Sequence, residues 1–174
     1  MDDRSKDMLD ASTVNLACFE VLGALYAIEI SCVREIVRMT AVTPLPNAPT
    51  LIEGIVDLRG AVIPVIDLAR VLGRGQGTPG PRARLVVLEL DGLVLGLQVD
   101  SATDVLSIDA TRLEDVPELA AQAGYDSVRH VVRRPGEAPV MVLAVETLIE
   151  RVYRSAIPGA SGAHPRSEAA GGVA

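Results

Sequence analysis

Every apolar stretch of this chain stops within the length of one strand. Leu16–Val21, Leu25–Ile30, Gly54–Leu58, Ala61–Ile66, Arg84–Leu90 and Leu93–Val99 are each followed within a few residues by Gly, Arg, Asp or Glu. A helix that crosses a membrane needs about 20 apolar residues in sequence, and no run approaches that length. The apolar residues are mostly Val, Leu, Ile and Ala; only 2% of the chain is aromatic and there is no Trp. A core made of these residues favours strands. The expectation is a mainly β fold with short helices, in 174 residues that suit one continuous core or two small lobes sharing one.

The punctuation locates the elements. Gly23 separates the first two strands, and Tyr26, Ile28 and Ile30 are expected on one face of the second. Val33, Ile36 and Val37 follow at i, i+3, i+4 spacing, which predicts a turn or two of helix bearing Glu35. Pro44, Pro46 and Pro49 impose an extended loop. A hairpin around Arg59-Gly60 follows, then a short helix over Leu68–Leu72 that stops at Gly73. Residues 73–82 are expected to be a flexible loop; they lack the lysine and following helix of a phosphate-binding loop. Further strands are predicted over Thr103–Ile108, Ser127–Arg133 and Val140–Val145, with a closing helix over Glu146–Ser155.

The two halves resemble each other. Ile63–Leu72 aligns with Val140–Ile149 at a constant offset, and Tyr26–Ile30 with Val33, Glu35 and Ile36 aligns with Leu95–Val99 with Ala102, Asp104 and Val105. This pattern predicts a duplication: two small β lobes, each too small to be robust alone, packed together. The division is expected as a lead-in over 1–13, a folded domain over 14–156 and a tail over 157–174. Within the domain the lobes cover roughly 26–80 and 84–145, with strands and helix exchanged at the ends. The tail, rich in Gly, Ala, Ser and Pro, is expected to be disordered.

Charge and motif content narrow the function classes. A net charge of −7 with a single lysine, Lys6, opposes binding to nucleic acid or to an anionic membrane. The absence of a basic start leading into an apolar run predicts no signal peptide and a cytoplasmic location. Cys18 and Cys32 lie in apolar patterns; free buried thiols are expected rather than a disulfide. His164 falls in the tail, which leaves His130, in a strand, without a neighbouring nucleophile motif. No metal-ligand spacing is present, and Asp109, Glu114, Asp115 and Glu118 form a solvated acidic stretch without calcium-loop spacing. No cofactor or metal is expected, and the chain is not expected to be an enzyme. Arg59 and Glu35 are charged residues in apolar surroundings. They are either two exposed charges or an ion pair that stiffens a groove.

The same residues carry a family resemblance. YAIEISCVREIVRM (26–39), VTPLPNAPTLIEGIVDLRGAVIPVIDL (42–68) and LGLQVDSATDVLSI (95–108) resemble the CheW family, and the middle block matches its spacing of prolines, Gly54, Leu58-Arg59-Gly60 and Pro64. The resemblance covers about residues 14–153. It implies two SH3-like five-stranded β-barrel subdomains packed on a shared core. It also implies a non-catalytic adaptor that joins the cytoplasmic tip of a chemoreceptor to the regulatory domain of a CheA-like histidine kinase. The adaptor would be recruited to receptor arrays at the inner face of the membrane, without inserting into it. By resemblance, Val33, Glu35, Gly54, Arg59 and Val105 line or support a receptor-binding groove between the subdomains, with Arg59 and Glu35 as a charge pair across it. Asp57 stands where the family usually has Asn, which adds a charge to the turn.

Overall fold

The computed structural model describes residues 12–117 and 126–156. The lead-in and the tail therefore lie outside the described residues, apart from Ser12 and Thr13, as do His164 and Glu118. Among the described residues eleven strands run in chain order: β1 (Thr13–Val21), β2 (Ala24–Glu29), β3 (Val33–Arg38), β4 (Ile52–Leu58), β5 (Ala61–Asp67), β6 (Arg84–Leu90), β7 (Leu93–Val99), β8 (Ser101–Asp109), β9 (Glu114–Asp115), β10 (Val128–Val132) and β11 (Val140–Leu143). A short helix α1 (Leu68–Val71) follows β5, and a twelve-residue helix α2 (Val145–Ala156) follows β11.

The strands form two sheets of matching topology. One has the order β8-β1-β2-β11-β10-β9 and the other β3-β6-β7-β5-β4. Neither sheet is the product of one half of the chain. The β1–β2 hairpin pairs with β8 and β11, while the β6–β7 hairpin pairs with β3 and β5. Each lobe therefore takes its hairpin from the other half. The register repeats as well. Ile36 lies opposite Val86 as Val105 lies opposite Ala17, and Val65 lies opposite Gly96 as Val142 lies opposite Ala27. An irregularity falls between Ile52 and Gly54 as it does between Val128 and His130.

Both sheets close into barrels. After β3 the chain returns through Thr43, which bridges Ile55 of β4 with bonds of 2.8 and 2.9 Å. After β8 it turns through Ala110–Arg112 into β9, which pairs with β10. The second closure makes the first sheet six-stranded rather than the expected five, because β9 is long enough to register as a strand where Thr43 makes only a bridge. Three of the hairpin turns, Leu22-Gly23, Arg59-Gly60 and Asp91-Gly92, hold both residues at positive φ. That conformation matches the twist of the flanking strands, and the glycine adopts it without the Cβ clash other residues suffer.

Packing explains why the strands read as unbroken apolar runs. In β1, Leu16 and Cys18 point into the six-stranded barrel, while Ala17, Phe19 and Val21 point into the core between the barrels. In β6, Leu85 and Val87 fill the five-stranded barrel, while Val86 and Leu88 join the shared core. Strands buried on both faces need no polar alternation. The shared core is the largest, and it includes Tyr26, Ile28, Ile66, Leu68, Leu97 and Leu148 from both sheets and both helices.

Three local expectations are corrected. Val33–Arg38 is a strand, not helix, with a 3-10 turn over Ile30–Cys32 before it. Its Val33, Glu35 and Val37 point inward in alternation, so the inward period is two rather than 3.6. Ile30 leaves the face of Tyr26 and Ile28 and is exposed. Residues 73–82 are also tied down rather than loose. The buried Asp67 carboxylate caps α1 through Ala69 N–H at 3.0 Å and accepts Gly77 N–H at 2.7 Å. Arg74 donates to the buried Tyr26 hydroxyl at 2.9 Å.

Candidate functional site

Arg59 and Glu35 are brought together. The Arg59 guanidinium reaches the Glu35 carboxylate at 2.8 Å. Local structure sets the geometry. Asp57 accepts the Gly60 N–H at 2.8 Å, which pins the two-residue turn with Arg59 at φ 53° and its side chain outward. Asp57 thus serves the turn as an Asn carbonyl would. Glu35 follows the irregularity between Val33 and Glu35 in β3.

The pair is open to solvent on one side: the Arg59 side chain is 75% exposed, against 22% for Glu35. The pair also does not span the two lobes. Both residues belong to the five-stranded sheet, on its edge strand β3 and on the β4–β5 turn, so their contact closes the seam of one barrel. At that exposure the pair contributes on the order of 0–1 kcal/mol to stability. Its value lies in the shape and charge it holds at the surface.

The other expected site residues lie around this seam or apart from it. Val33 begins β3, half-buried against the shared core. Gly54 is buried in β4 beneath Thr43, where a Cβ would overlap the Thr43 carbonyl. Val105 is in the other barrel, on the outer strand β8, 58% exposed. It lines a cavity of about 340 Å³ with Cys18, Leu25, Leu106, Arg134 and Val140. Under the repeat Val105 is the counterpart of Ile36, which is also exposed. Among the described residues the second barrel shows no matching ion pair at this place. Arg134 pairs with Glu137 in its own turn, and the cavity opens between it and Asp104, the counterpart of Glu35.

Sequence reasoning missed several exposed apolar residues: Ile30, Ile36, Val62, Leu93 and Tyr153. Apolar character alone assigns such residues to a core. The signal that could have found Ile36 was its alignment with Val105.

The remaining reactive groups are structural. Cys18 and Cys32 are free, Cys18 buried and Cys32 partly so. Burial pushes both thiols above their ordinary pKa, which disfavours the reactive thiolate at neutral pH. His130 Nδ1 faces Asp115 at 3.3 Å across the β9–β10 pair. Two hydrogen bonds from Thr111, backbone and side chain, lower the pKa of Asp109. Among the described residues no group of three His, Cys, Asp or Glu side chains is placed to hold a metal ion, and no helix is long and apolar enough to cross a membrane.

Two hairpin-exchanged β barrels, with charged and apolar residues displayed on outer strands and turns, define a protein-interaction module of the scaffold type. Comparison with known proteins identifies which one. Residues 15–152 match the CheW-like domain, and the chain belongs to the CheW family. It is 32% identical to the chemotaxis protein CheW of Rhizobium meliloti over 127 residues, covering 73% of this chain and 82% of that protein. It is 31% identical to protein FrzA of Myxococcus xanthus, covering 80% and 88%. Among solved structures, the scaffolding protein TtCheW from Thermoanaerobacter tengcongensis superposes with a TM-score of 0.69 at 28% identity, covering 78% of this chain and 86% of that one.

Proposed function

We propose that the chain is a non-catalytic adaptor that couples methyl-accepting chemoreceptors to a CheA-like histidine kinase in chemosensory arrays. It works in the cytoplasm, recruited to the arrays at the inner face of the membrane. The observation that carries this reading is family membership over nearly all of the described residues. The surface agrees with it: interaction-competent side chains stand on rigid barrel edges rather than converging in a reactive pocket. In this reading Val33, Glu35, Gly54, Arg59 and Val105 serve the receptor contact. Glu35 and Arg59 present a fixed charge pair, Val33 and Gly54 support the strands beneath it, and Val105 offers an apolar contact from the second barrel. The kinase regulatory domain contacts the outer strands and turns of the lobes. A second reading, an adaptor of a non-flagellar chemosensory pathway such as type IV pilus or second-messenger control, is favoured by the similarity to FrzA.

The test is kinase autophosphorylation with the purified chain, kinase and receptor signalling fragment mixed. Stimulation is expected only when all three are present; a kinase output that never changes although the proteins bind refutes the coupling role. Arg59→Ala is expected to weaken receptor capture more than kinase capture while the melting temperature stays nearly constant, since an exposed pair contributes little stability. Equal loss of both partners counts against a receptor-facing Arg59. Val105→Glu is expected to act the same way, and a large loss of stability would make Val105 a core residue instead.

A further inference from the structure

The internal repeat lets each barrel serve as a control for the other. Two residues after Ile36 on β3, Arg38 lies directly opposite Arg84 of β6. The same register position of the other barrel holds Ser107 of β8 opposite Asn15 of β1. There the Ser107 hydroxyl donates to the Asn15 side-chain carbonyl at 2.6 Å. One barrel fills this position with a satisfied polar pair, the other with two like charges. Like charges directly opposite each other destabilise a strand pair.

Nothing in the described part of the chain relieves them. One nitrogen of the Arg84 guanidinium donates to the backbone carbonyls of Arg82 and Ala83, at 3.0 and 2.9 Å. Among the described residues no carboxylate pairs with Arg38, with Arg84 or with the exposed Arg82 just before β6. Elsewhere on this surface the exposed arginines Arg34, Arg59, Arg129, Arg133 and Arg154 each meet one. In a chain of net charge −7, with acids in excess, these guanidiniums are left open to an anion from outside. Beside them Ile36 shares the face of Arg38 and is 41% exposed, as Val105 beside Ser107 is 58% exposed.

We propose that the face formed by Ile36, Arg38 and Arg84 docks an acidic protein segment, an apolar side chain of the partner resting on Ile36 and its carboxylates on the two guanidiniums. The planar fork of arginine suits a carboxylate, which it can bind through two parallel hydrogen bonds. The overall negative charge opposes a nucleic acid or an anionic membrane, each of which spreads its charge over a surface larger than this cluster. A short segment feels chiefly the charges within about 8 Å of it at physiological salt, and here those are cationic. The neutral Ser107–Asn15 pair beside Val105 offers carboxylates nothing comparable, so the two barrels present equivalent apolar contacts with different charge preference. The inference stands independently of the adaptor reading.

Two measurements on the full chain test it. The double variant Arg38→Gln with Arg84→Gln keeps the aliphatic stems and removes the repulsion. Its melting temperature is expected to rise by about 1–4 °C at low salt. The gain should shrink at high salt, where the repulsion is screened. No gain at low salt overturns the inference, because the pair then carries no repulsion for a partner to relieve. The second measurement is an amide NMR titration with the acetylated, amidated peptide Ser-Leu-Ser-Glu-Ser-Glu-Ser, whose Leu and Glu side chains share one face when extended. Saturable shifts are expected at Ile36, Arg38 and Arg84. Binding is expected to be weaker by about tenfold or more for the double variant, and for a peptide with Gln in place of Glu. A peptide that gives no saturable shift at these residues, or binds the variant equally well, overturns the proposal. So do inorganic phosphate or phosphatidylglycerol vesicles that bind the same face as tightly, which would make it a general anion site.

Discussion

Gly54 shows how one missing Cβ can hold a functional surface together. The chain emerging from the proline loop passes directly over it, and the Thr43–Ile55 bridge joins the two segments with two backbone hydrogen bonds. Any side chain at position 54 would drive Thr43 off β4 and open the barrel on the side where Glu35 meets Arg59. Backbone, unlike the end of a flexible side chain, cannot shift cheaply. Gly54→Ala is therefore expected to cost about 3 kcal/mol, at the upper end of overpacking substitutions. In a domain of this size that is a drop of roughly 6–12 °C in melting temperature. Thermal denaturation checks it, and a loss below about 1 kcal/mol would show that the bridge yields easily. Gly23, in an open hairpin turn with no atom near its missing Cβ, has no such steric conflict. The positions of Gly54 and Arg59 were legible from the motif. The conformation that makes Arg59 exposed was not, because only the turn type decides where that side chain points.

Among the elements, strands between glycine turns were the most legible. β6 and β7 fall at the bounds the apolar runs imply, because turn chemistry marks both of their ends. β3 was misread for a physical reason. Its alternation is intact, but the outward position carries the apolar Ile36 and the inward one Glu35, so Val33, Ile36 and Val37 fall at a helical spacing by coincidence. The loop over 73–82 was misread because its anchor, Asp67, lies in the preceding strand and resembles an ordinary strand end. A carboxylate that is 2% exposed and satisfied by two backbone N–H groups organises both α1 and this crossing segment. Its counterpart in the second half, Ala144, is followed by the longer helix α2 (Val145–Ala156). Asp67→Ala would remove a helix cap, costing about 1 kcal/mol, and leave the Gly77 N–H without its acceptor, costing about 1–3 kcal/mol more. The expected signature is faster amide exchange and proteolysis confined to residues 73–82, beyond the global loss. Unchanged protection there would mean that Arg74 and Tyr26 suffice to hold the segment.

At the scale of the whole molecule, a duplication with strands exchanged at the ends was expected from the sequence, but which hairpin joins which lobe was not legible. Periodicity tells which face of a strand is buried, but it does not tell which strand lies beside it. The β1–β2 hairpin carries the same apolar pattern whether it completes its own lobe or the other one. In the structure it completes the other, and β6–β7 returns the exchange. The shared core takes buried residues from both hairpins and both helices, and a cut between β5 and β6 leaves a closed barrel on neither side. Lobes joined only by a linker could melt separately; lobes that bury one shared core are expected to lose both barrels together. Calorimetry of the full chain is expected to give one transition with equal calorimetric and van't Hoff enthalpies. Chains ending at residue 82 and beginning at residue 83 are expected to be unfolded alone, each lacking the hairpin that closes its strands, and to regain β structure when mixed. A half that folds by itself, or two resolved transitions, would show that the hairpins can close their own lobes and that the exchange is not what makes the molecule one cooperative unit.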